Sequence, residues 1–284
     1  MSEIRVGTSA FTAAGWQDAF YPAGMKPADY LTYYASRFDT VEVDSTFYGA
    51  PSAATVTGWA HKTPDNFTFA LKVPQSITHQ KVLVDCDDEF KSFVSTAELL
   101  GAKLGPMLFQ FGYFNRSAFT SRAQFLARLK PFLRKLPTGH RFALEIRNKH
   151  WLTPAFLKLL REHNVAYALT DQSWMPGPNE IFEKADPITA NFTYIRWLGD
   201  RKGIEQVTKV WNRIVVDRTA EMTSWVDVCT KIQKRGVSIY AYFNNHFAGF
   251  GPASVQLFRD MCNKNGLDIP APVAPPVIER TLFD

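Results

Sequence analysis

Residues 141–170 read RFALEIRNKHWLTPAFLKLLREHNVAYALT. A β-favouring run, Arg141–Ile146, gives way to Thr153-Pro154, where proline's fixed φ and missing N–H suit the first turn of a helix. Helical spacing continues over Pro154–Glu162, a short link occupies His163–Val165, and a second β-favouring run follows at Ala166–Thr170. A strand, a helix and a strand in so short a stretch form a crossover unit with parallel strands.

The same rhythm extends in both directions. Further strands are predicted at Ile4–Thr8, Thr40–Asp44, Thr68–Lys72, Met107–Gln110, Thr193–Trp197 and Ser238–Phe243, which brings the count to eight. Helices are predicted at Pro27–Arg37, Ala53–Lys62, Asp88–Leu100, Arg122–Lys135, Ala220–Lys234 and Ala253–Lys264, with a disrupted one near Glu180–Ala185. Eight strands alternating with helices predict an α/β fold, a single (β/α)8 TIM-type barrel, because closure removes the sheet edges that an open doubly wound sheet would leave. The barrel domain is expected over residues 1–267. A proline-rich tail, with Pro270, Pro272, Pro275 and Pro276, is expected over 268–284.

Composition narrows the class. The chain has 284 residues, 46% hydrophobic and 21% charged, enough for one large core. No basic leader opens it and no stretch nears the ~18 apolar residues of a membrane span, so a cytoplasmic protein without membrane contact is expected. Cys86, Cys229 and Cys262 are far apart and suggest neither a disulfide framework nor a structural zinc site. A net charge of +5 favours anionic partners, although Lys and Arg nowhere form a long run.

Loop lengths place the site. Links from helix to strand, such as Pro137–His140, are short, whereas Ser9–Lys26, Val73–Asp87 and Gln172–Phe192 are long and follow strands. Long loops in a compact domain carry function, and here they gather at the C-terminal ends of the strands, where barrels of this type bind their ligands.

Nearly every strand also delivers a polar residue to that end. Alternation puts Glu42 and Asp44 on one face of the second strand and Ala143, Glu145 and Arg147 on one face of the fifth. Lys72, Gln110, Asp171 and Arg196 close four others, and Asn244-Asn245-His246 closes the last. Such charges are costly unless neutralised, either by each other, with Glu42 on Lys72 and Asp171 on Arg196, or by a ligand.

Ordered motifs across almost the whole chain then carry a resemblance. Val6-Gly7-Thr8-Ser9, Phe20-Tyr21-Pro22, Val41 through Tyr48, Ile77-Thr78-His79, Leu108-Phe109-Gln110, Glu145-Ile146-Arg147 with Trp151, and Tyr242 through His246 resemble the motifs of domain-of-unknown-function family 72, the YecE-like proteins. The resemblance implies a (β/α)8 barrel and no settled activity. Asp44 stands where that family usually has Asn, Leu198 where it has His, and Phe111-Gly112 where it often has two prolines.

Three functional readings fit these residues. In the first, a hydrolase of phosphoesterase type acts on a phosphate ester or nucleic-acid fragment. Glu42, Glu145, Asp171 and His246 are its candidate catalytic groups, while Lys72, His79, Gln110, Arg147, Trp151, Arg196, Asn244, Asn245 and Tyr48 bind the substrate. A divalent metal held by Glu42, Asp44, Glu145 and Asp171 is a less favoured version, since no H-E-x-x-H-type spacing supports it. In the second, Glu42 and Glu145 act on a sugar stacked against loop aromatics such as Trp16, Tyr21, Tyr113 and Trp174. In the third, the barrel binds an anion or a partner without turnover. The terminal Glu279-Arg280-Thr281-Leu282-Phe283 resembles the short peptides that dock on bacterial sliding clamps, with Glu279 in place of the usual glutamine.

Overall fold

The computed structural model describes residues 2–269. The tail expected over 268–284 and its clamp-like motif therefore lie outside the described residues, apart from Asp268 and Ile269.

Eight parallel strands form a nearly closed (β/α)8 barrel. They are β1 (Ile4–Thr8), β2 (Thr40–Val43), β3 (Thr68–Lys72), β4 (Leu104–Gln110), β5 (Phe142–Glu145), β6 (Val165–Asp171), β7 (Phe192–Trp197) and β8 (Ser238–Phe243). The ladder runs β1-β8-β7-β6-β5-β4-β3-β2. At the seam between β1 and β2 a helix side chain stands in for backbone pairing: the Thr8 N–H donates to the Tyr34 hydroxyl at 2.9 Å, and that hydroxyl lies 3.1 Å from the Thr40 carbonyl. Only glycine fits at position 7 there, because a Cβ would lie 2.1 Å from the Thr40 carbonyl oxygen.

The helices are α1 (Tyr30–Ala35), α2 (Ala53–His61), α3 (Asp87–Ala97), α4 (Arg122–Leu133), α5 (Pro154–Glu162), α6 (Pro178–Lys184), α7 (Arg201–Val207), α8 (Thr219–Gln233) and α9 (Gly251–Lys264). Thr153 caps α5 by accepting from the Phe156 N–H, with Pro154 in the first turn as the sequence predicts. Two predicted helices are shorter than expected: Pro27–Asp29 is a 3₁₀ turn ahead of α1, and Glu98–Lys103 is a 3₁₀ continuation of α3 with Gly101 at positive φ.

Side-chain alternation along the strands divides the core in two. The outward-facing set, including Val6, Val41, Leu71, Phe109, Leu144, Leu169, Ile195 and Phe243, packs against the helices. Inside the barrel, small residues on β3, β5 and β6 (Ala70, Ala143, Ala166, Ala168) face aromatics on β7 and β8 (Phe192, Tyr194, Tyr240, Tyr242). Small against large fills the interior, so it is a packed core and not a pore. Above this apolar plug, at the C-terminal ends of the strands, the interior turns ionic.

Candidate functional site

Glu42 and Glu145 are both fully buried, and Arg196, 2% exposed, is bonded to each of them. Arg196 Nε and Nη2 donate to Glu42 Oε1 at 3.2 and 2.7 Å, while its Nη1 donates to Glu145 Oε2 at 2.6 Å. The Tyr194 hydroxyl, two residues earlier on the same inward face of β7, donates to Glu42 Oε2 at 2.6 Å. Every carboxylate oxygen of the pair is thus occupied, since Glu145 Oε1 accepts from Arg147 Nε at 3.0 Å. Lys72 reaches Asp44 at 2.7 Å and lies 4.1 Å over the Phe47 ring.

The ionic layer expected from the sequence therefore forms with other pairings. Glu42 pairs with Arg196 and not with Lys72, whose ammonium goes to Asp44. Arg196 cannot serve as an open anion clamp, because all three of its nitrogens are already engaged. Nor do Glu42 and Glu145 flank an open cleft, as a glycosidase pair must to hold a sugar between them. A guanidinium fills that space.

Electrostatics push the two glutamates apart. Burial raises the Glu42 carboxyl above the ordinary range; Arg196 opposes this, and the nearby Asp44 charge reinforces it. Burial acts on Glu145 too, but Arg196 and Arg147 together outweigh it and hold Glu145 below its ordinary value. Glu145 is thereby a fixed anion wedged between two cations.

Asp171 leaves the site altogether. Odd-numbered positions of β6 face outward, and its Oδ2 accepts from Trp225 Nε1 of α8 at 2.7 Å. Among the described residues no group of three or more His, Cys, Asp or Glu is placed to hold a metal ion. The four proposed carboxylate ligands are instead divided among Arg196, Lys72 and Trp225.

At the β8 end the polar side chains bond to other parts of the protein. Asn244 Nδ2 donates to Ser9 Oγ at 2.9 Å and its Oδ1 accepts from the His246 N–H at 3.0 Å. Asn245 Oδ1 accepts from Trp16 Nε1 at 3.2 Å and from the Gly251 N–H at 2.8 Å, tying the first long loop to α9. His246 sits between Asn244, Glu205 and the Trp211 ring. Gln110 is buried, with Nε2 donating to its neighbour's carbonyl at Phe111.

His79 stands on a π-helical turn, Ser76–Gln80, a distortion frequent at functional sites. Burial, Lys72 and Arg147 lower its pKa, which disfavours the positive charge the sequence suggested. Gly112 makes room for it: a Cβ there would lie 3.2 Å from His79 Nε2. Tyr48, 75% exposed, stands on the rim.

Beside this sealed cluster lies an open groove of about 680 Å³ between the loop after β4 and the loop after β5. Arg147 is the residue shared by both. Its Nε is tied to Glu145, while Nη1 and Nη2 make no hydrogen bond to the described residues. Arg116, Lys149 and His150 also line the groove, as do Tyr113 and Trp174, which are 69% and 45% exposed. Among the described residues no Asp or Glu lines it. Trp151 forms part of the wall by stacking on Phe125 and Phe114, at 5.1 and 5.9 Å between ring centroids. Arg116, in a loop, and Lys149 and His150, in a 3₁₀ turn, lie where no periodicity in the sequence could mark them. Tyr194 was accessible to such periodicity, as the inward-facing position two before Arg196.

Comparison with known proteins agrees with this architecture. The family described as protein of unknown function DUF72 matches residues 5–277. UPF0759 protein YunF of Bacillus subtilis is 25% identical over 254 residues, covering 83% of this chain and 88% of that protein. UPF0759 protein YecE of Escherichia coli O157:H7 is 31% identical over 160 residues, covering 56% of this chain and 54% of that protein. A crystal structure of a DUF72 family protein from Thermotoga maritima superposes with a TM-score of 0.71 at 25% identity, over 92% of this chain and 99% of that one.

Proposed function

The chain belongs to the DUF72 family, and we propose that it binds a phosphorylated, base-bearing ligand, a nucleotide or nucleic-acid fragment, in the groove beside Arg147. One observation carries this reading: the groove is cationic and aromatic but has no carboxylate among the described residues that line it. Its volume, about 680 Å³, suits a ligand of nucleotide size. Arg147 presents two nitrogens without a partner among the described residues, in the fork that matches a phosphate and already oriented by its bond to Glu145. Tyr113 and Trp174 supply exposed rings on which a base can stack.

Within this reading Glu42 and Glu145 do not touch the ligand. They form, with Arg196, the rigid base from which Arg147 projects. Binding is the activity proposed; hydrolysis of the bound phosphate ester is the turnover to look for.

Calorimetric titration with AMP, ribose 5-phosphate, adenosine and maltotriose tests it. AMP should bind best, ribose 5-phosphate next, adenosine weakly and the neutral sugar not at all. Arg147→Ala should cost AMP about tenfold or more, the worth of a hydrogen bond to a charged group. Phosphate released in the same samples would add turnover. Binding of maltotriose alone, or AMP binding indifferent to Arg147→Ala, would overturn the assignment.

A further inference from the structure

Charge is unevenly divided along the chain. Residues 99–144 contain eight of its 32 Lys and Arg and none of its 27 Asp and Glu, so the rest of the protein is net negative. This acid-free stretch folds as β4, the loop after it, α4 and the turn into β5, and its loop forms one wall of the groove.

Four of its cations are engaged within the fold: Arg122 donates to Thr153 Oγ1 at 2.9 Å and Arg141 lies 5.8 Å over the Tyr240 ring. Lys103 donates to the carbonyls of Ala60 and Thr63, and Lys135 pairs with Asp87. Arg116, Arg128, Lys130 and Arg134 are exposed and have no carboxylate partner among the described residues. Arg128 links the two zones: its guanidinium lies 4.9 Å over the ring of Phe119, itself part of the groove lining. Helices of such a barrel run antiparallel to its strands, so α4 starts at the groove and descends the outer wall. From Arg122 to Arg134 it carries positive charge over roughly 18 Å at 1.5 Å per residue.

Resting on the reading of the groove above, we propose that the groove and the exposed face of α4 form one continuous surface for a single strand of nucleic acid several nucleotides long. Exposed Tyr113 and Trp174 need unstacked base faces, which a single strand offers and a duplex hides. A basic track leading away from a concave aromatic site suits a chain of phosphates; a mononucleotide would leave it unused.

Fluorescence anisotropy with labelled oligo(dT) of four, eight and sixteen nucleotides, spanning the usual range of single-strand site sizes, tests the proposal. Affinity should rise about tenfold or more from the shortest to the longest strand and fall steeply with salt. Lys130→Glu with Arg134→Glu, both exposed, should weaken the sixteen-mer about tenfold while leaving AMP binding unchanged. Length-independent affinity, an unaffected double variant, or equal binding of a duplex, of polyglutamate or of phosphatidylserine vesicles would overturn it. If AMP still binds in an Arg147-dependent way when the strand does not, the extended surface fails and the groove assignment stands. If neither binds, both fail.

Discussion

Arg147 Nε donates to Glu145 Oε1 at 3.0 Å, a bond between residues two apart at the end of β5 that ties a half-buried cation to a fully buried anion. The consequence is orientation: Arg147 faces the groove because Glu145 holds its near edge. Glu145→Gln should therefore act in two ways. Loss of one partner from the buried cluster leaves Arg196 less compensated and should cost about 3–5 kcal/mol in urea unfolding. AMP affinity should fall about tenfold although every groove residue is intact. Undiminished affinity in a folded Glu145→Gln protein would show that Arg147 needs no anchor.

Arg196 separates two buried carboxylates, so its removal should be worse than removal of either. Arg196→Met leaves the buried Glu42 without its ion-pair partner and Glu145 with Arg147 alone, and should prevent folding at neutral pH. Combining it with Glu42→Gln and Glu145→Gln should recover a folded barrel, since neutral groups need no counterion. Tyr194→Phe removes one hydrogen bond to a charged acceptor and should cost about 1.5–3 kcal/mol. Circular dichroism melts of the four proteins order these effects; a stable Arg196→Met barrel would mean the glutamates are not ionised together.

The barrel was legible because its signals are local. β1, β3, β8 and α5 match their predicted bounds residue for residue, each resting on alternation, helical spacing or a Thr-Pro start. Helix α7 has no sequence signal: Arg201–Val207 is seven residues long with Gly203 in its first turn, too short to announce itself without tertiary support. The pairings of the ionic layer were not legible either. Glu42 and Arg196 lie on β2 and β7, strands that are not neighbours, so their meeting depends on stagger across the barrel interior and not on any spacing in the chain. Asp171 shows the limit of reading strand ends by polarity alone, because the period-2 rule that put Thr170 inward had already turned Asp171 outward.

That outward position predicts a structural role for Asp171, open to direct test. Burial raises its carboxyl above the ordinary range, opposed by the bond from Trp225 and by Arg218. Asp171→Ala should leave the Trp225 indole N–H without its partner and destabilise the barrel by about 1–3 kcal/mol. AMP affinity and any phosphate release should be unchanged. A variant of normal stability that lost binding would return Asp171 to the site.

His79 makes stability depend on pH in a defined direction. Its pKa is lowered from 6.5 by burial, by Lys72 and by Arg147, with Glu145 opposing and outweighed. A folded-state value below the unfolded one means that the unfolded chain binds more protons between the two. Stability contributed by keeping the imidazole neutral is complete above 6.5 and is lost as pH falls from there through the depressed folded value. Other buried acids titrate in the same acidic range, so the comparison must be between proteins. The wild type should lose more melting temperature than His79→Gln between about pH 7 and about pH 5. Parallel curves for the two proteins would mean that His79 ionises in the fold as freely as in the unfolded chain, and that the cations around it exert no net field on its ring.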